Sequence, residues 1–130
     1  MLKITKALLV RKLFLYLALF FTIAIAFGSL VSLESKPLPQ VQFTDKFVHI
    51  IGYGVLAMSW FLAYKHLIKR ITTLFWVGFI VVFYGIVIEA FQGALTDHRQ
   101  ADPYDMFANF VGVLTAILFF NIFFRKKREN

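Results

Sequence analysis

The sequence predicts an all-α integral membrane protein, a four-helix bundle with short loops, and three observations lead there. Composition comes first: of 130 residues 60% are hydrophobic, 17 being Phe, and only 16% are charged. A soluble domain runs at about 45–50% apolar and about 25% charged, and one this small has no interior for so many apolar side chains. Length comes second, since four spans of about 20 residues need about 80, leaving little for loops. Pattern comes third: the apolar residues form four continuous runs, unlike the alternating ten-residue segments of a membrane barrel.

The first run is Leu13 to Val31, preceded by Lys3, Lys6, Arg11 and Lys12. A basic start, an apolar stretch and Ala24-Ile25-Ala26 also resemble a cleavable signal peptide, which would leave three helices. The run continues through Phe27, Leu30, Val31 and Leu33, which favours a span. The other runs are Phe47 to Tyr64, Thr72 to Gln92 and Met106 to Phe124. At 1.5 Å per residue each covers about 30 Å of hydrocarbon, the second only just. The connections are short: Ser32 to Lys46 with Pro37 and Pro39, the basic turn Lys65 to Ile71, and Gly93 to Asp105 with Pro103. Short connections make consecutive helices antiparallel neighbours, in one domain over residues 1–130 with no internal repeat.

Lys and Arg set the expected orientation. Eleven of the fourteen fall on one side: Lys3, Lys6, Arg11 and Lys12, then Lys65, Lys69 and Arg70, then Arg125, Lys126, Lys127 and Arg128. Lys36, Lys46 and Arg99 fall on the other. Both termini are therefore expected in the cytoplasm, in a multi-pass membrane protein. The net charge of +7 is a topology signal rather than a nucleic-acid footprint, because the basic residues cluster at the ends of apolar runs. With no Cys there is no disulfide, thiolate metal site or cysteine nucleophile.

Six of the seven acidic residues, Glu34, Asp45, Glu89, Asp97, Asp102 and Asp105, lie in or beside the extracytoplasmic half; Glu129 does not. Acidic residues contribute little to topology, so this asymmetry has another cause. Helical spacing lets them converge. Asp45, His49 and Tyr53 recur at i, i+4 and i+8; Gly85, Glu89 and Gln92 at i, i+4 and i+7; Asp102, Asp105, Asn109 and Gly112 follow the same 3–4 rhythm. Arg99 sits in the loop above them. Glu89 is the most informative, because an ionisable group within a span is costly and normally faces the bundle interior; Arg99, Lys46 and His49 are its expected partners.

Plainer roles exist for several of these residues. Asp102-Pro103-Tyr104-Asp105 reads as a helix start, with Asp102 as N-cap, Pro103 at the first helical position and Asp105 favourably placed for the helix dipole. Asp45 after Thr44 reads the same way, and His49 and Tyr53 could be interior groups hydrogen-bonded between helices. Ala108, Gly112 and Ala116 form a small-residue stripe for close helix approach. Trp60, Tyr64 and Trp76 suit an aromatic belt at the cytoplasmic interface. His66 and His98 are loop histidines with no partner spacing.

Taken together, Asp45-Lys46-x-x-His49-x-x-x-Tyr53, Glu89-x-x-Gln92 and Arg99-x-x-Asp102-x-x-Asp105-x-x-x-Asn109-x-x-Gly112 resemble the VanZ-like family of small bacterial membrane proteins over roughly residues 44 to 118. The resemblance implies a membrane address, an envelope role and a link to teicoplanin resistance, but no reaction. Around the polar set, Asp45, Glu89, Asp97, Asp102 and Asp105 outnumber the cations Lys46 and Arg99. An anionic ligand therefore needs a bridging divalent cation, a protonated carboxyl, or an amine of its own. Three roles follow. The site could bind an envelope lipid headgroup or amphiphilic glycopeptide at the outer leaflet, through Asp45, Lys46, His49, Tyr53, Glu89, Gln92, Arg99, Asp102, Asp105 and Asn109. It could be a metal-assisted enzyme on a lipid phosphate, with His49, Glu89 and Arg99 as catalytic candidates and Asp45, His49, Glu89 and Asp105 as metal candidates. Or it could be a structural network for membrane assembly.

Overall fold

The computed structural model describes residues 2–31, 41–95 and 101–125. It is a four-helix bundle: α1 (Leu2–Leu30), α2 (Val41–Ala63), α3 (Ile71–Leu95) and α4 (Pro103–Phe120), the last running into a single π-helical turn, Asn121–Arg125. There is no strand among the described residues. All four helices are long and apolar enough to cross a membrane, which makes this a multi-pass membrane protein. Large apolar side chains such as Ile23, Phe27, Phe47, Phe79 and Phe83 face outward, the inverse of a water-soluble surface.

The helices outrun the apolar runs. α1 begins eleven residues before Leu13, because Lys3 to Lys12 contains no Gly or Pro to stop a helix and charge alone does not. α2 begins at Val41, which puts Asp45 inside the helix rather than at its cap. α3 extends to Leu95, past Gln92. α4 starts at Pro103, and its last predicted residues, from Asn121 on, lie in the π-helical turn.

α2 and α4 make the most extensive contact in the bundle. Its closest point is glycine on glycine. A β-carbon on Gly112 would meet the Ile50 carbonyl oxygen and come within 3.0 Å of the Gly54 amide nitrogen; one on Gly54 would lie 3.3 Å from the Gly112 carbonyl oxygen. Ala108 and Ala116, one turn either side of Gly112, are buried in the same stripe. α3 packs across this pair through Gly78, against Val113 and Ile117, and Gly85, against Tyr53 and Asn109. Below these contacts Leu56, Phe61, Leu74 and Phe120 fill the core, with the Phe61 and Phe120 rings 5.5 Å apart.

α1 lies against α2 and α3 and is nearly all periphery: Ala18 is the single fully buried side chain among those described on it. Phe21 and Ile25 pack against the core, and two hydrogen bonds to Thr22 add a polar hold. The Tyr84 hydroxyl donates to the Thr22 carbonyl oxygen at 2.5 Å, and the Trp60 indole N–H donates to the Thr22 hydroxyl at 3.2 Å. Trp60 thus ties α1 to α2, and it stacks on Tyr64 with ring centroids 5.8 Å apart.

The glycine contact yields the first prediction. Gly112→Leu forces the two helix backbones apart and should cost about 1–3 kcal/mol or more, read as a lower melting temperature or lost folded yield in detergent. Gly28→Ala should be neutral or mildly stabilising, because nothing lies within 4 Å of the added carbon.

Candidate functional site

Antiparallel packing brings the start of α2, the end of α3 and the start of α4 to one end of the bundle. All four described carboxylates, Asp45, Glu89, Asp102 and Asp105, are there. The described Lys and Arg residues sit at the opposite end, with Lys46 the exception.

Lys46 resolves why it is the exception. Its ammonium bridges Asp102 Oδ2, at 2.5 Å, and Asp105 Oδ1, joining α2 to the first turn of α4. Asp102 does two jobs at once. Its Oδ1 accepts from the Tyr104 amide at 2.8 Å, so it caps α4 ahead of Pro103, while Oδ2 holds Lys46. The Lys46 hydrogen bond, aided by that amide, keeps the Asp102 carboxyl below its usual range against the opposing effect of partial burial. Asp105 is buried and reaches inward as well as upward, its Oδ2 lying 3.8 Å from His49 Nε2.

His49 is the hub of the site. His49 Nδ1 lies 2.9 Å from Asn109 Oδ1, a hydrogen bond in the tautomer that carries its hydrogen on Nδ1. The same nitrogen is 3.9 Å from Glu89 Oε1. Of Glu89's expected partners among the described residues, His49 is a neighbour, while Lys46 is engaged by the aspartates. Glu89 is 1% exposed, as is Asn109, so both polar groups lie in the dry interior between α3 and α4. Asn109 Nδ2 has no hydrogen-bond partner among the described residues. Tyr53, one turn deeper on α2, lies parallel to the His49 ring at 6.4 Å and is itself buried. Gln92 is buried on the Glu89 face one turn nearer the end of α3. Arg99 lies outside the described residues, as do Asp97 and His98.

Two features give this network access to a ligand. A cleft of ≈ 280 Å³ opens between α1 and α2, lined by apolar Ala24, Ile25 and Val48 together with Ser29, Asp45 and His49. Ligand atoms of Asp45, His49 and Asp105 also converge, all within 4.8 Å of one another. In the tautomer with its hydrogen on Nδ1, toward Asn109, His49 offers Nε2, the nitrogen facing Asp105, as a ligand. Metal-binding histidines are held in this manner, one nitrogen donating to an oxygen and the other ligating.

The part played by α1 is not visible in residue type, since Gly28 and Ser29 are its only hints, and Tyr84 entered no motif. Tyr84 backs the site nonetheless, its ring 6.5 Å from that of Tyr53 and its hydroxyl on α1. Comparison with protein-family models, curated proteins and solved structures returned no match.

The Asp102 ion pair has a pH signature. A carboxyl ionised more readily in the folded state than in the unfolded one contributes stability above the unfolded value, about pH 4, that is lost as pH falls through the folded value. Thermal unfolding in detergent should show the melting temperature dropping as pH is lowered below about 4. Asp102→Asn should start lower at neutral pH and lose part of that dependence.

Proposed function

We propose that the chain is a VanZ-like protein of the bacterial cytoplasmic membrane, with both termini cytoplasmic. In this reading its carboxylate-rich end faces outward and receives an amphiphile of the cell envelope, a lipid headgroup or an amphiphilic glycopeptide of the teicoplanin kind. The orientation rests on the placement of eleven of fourteen basic residues and on the charge partition between the two ends of the bundle. The carrying observation is the cleft between α1 and α2, which sets an apolar wall beside Asp45 and His49 at the edge of the buried network. Such a surface suits a molecule with one polar and one apolar part.

The electrostatics narrow the headgroup. Lys46 is engaged by Asp102 and Asp105, so the cleft itself presents Asp45 and His49 rather than a cation. An amine-bearing headgroup meets that wall with complementary charge. The alternative reading is a metal-assisted enzyme acting on a lipid phosphate, and the convergence of Asp45, His49 and Asp105 supports it. Oxygen ligands with one imidazole suit Mg²⁺, Mn²⁺ or Zn²⁺, which would bridge the carboxylates to a phosphate.

Native mass spectrometry of the chain released gently from bacterial membranes separates these readings. The wild type should carry an amphiphile mass, and Gly28→Trp, which fills the cleft from the α1 side and leaves every charge in place, should lose it while the chain stays folded. A metal adduct retained with phosphate and lost in Asp45→Asn would shift the assignment to the enzyme. A bare mass in every variant would overturn both and leave a structural network.

A further inference from the structure

At the opposite end of the bundle the first three turns of α1 stand away from the other helices. Every described side chain from Ile4 to Leu13 is exposed. At 1.5 Å per residue α1 is about 43 Å long against about 30 Å of hydrocarbon, so its N-terminal part reaches the headgroup level at this end. The space it leaves is a groove of ≈ 820 Å³, the size of a ligand pocket.

The groove is amphipathic in a specific way. Its walls are apolar, with Phe14 of α1 facing Leu62 at the end of α2 and Phe124 in the π-helical turn. Its polar groups are basic: Lys6 and Arg11 from α1, and Lys65 and His66 from the α2–α3 turn. The Lys65 ammonium lies 4.6 Å from the Phe124 ring centroid, which fixes a cation directly over the apolar wall. No carboxylate lies at this end among the described residues; Glu129, the one acidic residue that the sequence puts beyond α4, is outside them.

We propose that this groove is a binding site for an anionic phospholipid, with acyl chains along Phe14, Leu62 and Phe124 and the phosphate held by Lys6, Arg11 and Lys65. Charge complementarity selects the occupant. A zwitterionic lipid brings its own cation to a rim that already has three, whereas an anionic headgroup neutralises them. The apolar wall continues into the face of a membrane-spanning helix, so the occupant comes from the surrounding bilayer rather than from an acidic protein. The bound lipid would fill the space between α1 and the α2–α3 turn and fasten the N-terminal turns of α1, whose side chains are otherwise exposed. The site is independent of the polar pocket at the other end.

The test uses the full chain in detergent, titrated with phosphatidylglycerol or phosphatidylcholine and read by native mass spectrometry. Wild type should bind phosphatidylglycerol at least about tenfold more tightly than phosphatidylcholine. Lys6→Gln/Arg11→Gln/Lys65→Gln should lose that preference. Lys12→Gln/Lys69→Gln/Arg70→Gln removes the same charge from the same end without touching the groove, and should stay within about threefold of wild type. Ala7→Trp keeps every charge and fills the groove, so it should also lose binding. Equal losses in the two triple variants would mean diffuse attraction to a basic surface and overturn the site. So would no loss in the first triple, or full binding by Ala7→Trp.

Discussion

The approach of α2 to α4 governs this molecule. Two helices whose backbones meet at Gly54 and Gly112 leave no room for side chains at that level, and everything above and below is placed by that contact. In a bilayer, apolar burial does not drive helices together, because lipid is as apolar as leucine; close backbone packing and polar contacts do. The glycine contact supplies the first and the Lys46 bridge to Asp102 and Asp105 supplies the second, about two turns apart along α2. Each needs the other. Without the close approach the ammonium and carboxylates would be solvated apart, and without the bridge the end of the seam would be an uncompensated pair of acids beside a buried one.

The seam also explains why a histidine can sit among carboxylates. His49 faces α4 because Lys46, Gly54 and the small-residue stripe fix the rotation of α2, and α3 follows because Gly85 lets Tyr53 and Asn109 close against it. Asn109 then meets one ring nitrogen, with Glu89 near the same nitrogen and Asp105 near the other. The arrangement is ordered by packing from below, and along α1 it opens into the cleft. The contacts of Tyr84 and Trp60 with Thr22 of that helix help to set how wide the cleft is.

Much of this was readable from residue spacing alone. Continuous apolar runs announce four spans, and the 3–4 rhythm of Asp45, His49 and Tyr53, like that of Asp102, Asp105, Asn109 and Gly112, places each set on one helical face. Asp102 before Pro103 reads as a cap and is one. Spacing along one helix carries no information about which partner lies across the gap, so the choice of Asp102 and Asp105 over Glu89 for Lys46 emerges only once α2 and α4 are packed. The same limit hides the cleft, whose α1 wall is ordinary apolar sequence, and the role of Trp60, which has the composition of a belt residue but hydrogen-bonds to a threonine on a neighbouring helix. Charged residues such as Lys3 to Lys12 end an apolar run without ending a helix, so helix ends are not legible from hydropathy alone.

The pairing across the seam is open to a direct chemical measurement. A water-soluble carbodiimide joins an amine to a carboxylate only when the two touch, and it can be applied to the unaltered chain in native membranes. Mass spectrometry of the digest should find Lys46 linked to Asp102 or Asp105, and Gly112→Leu should abolish the link. Activation of those aspartates, shown by capture of an added amine, with Lys46 never among their partners would contradict the α2–α4 seam on which the account depends.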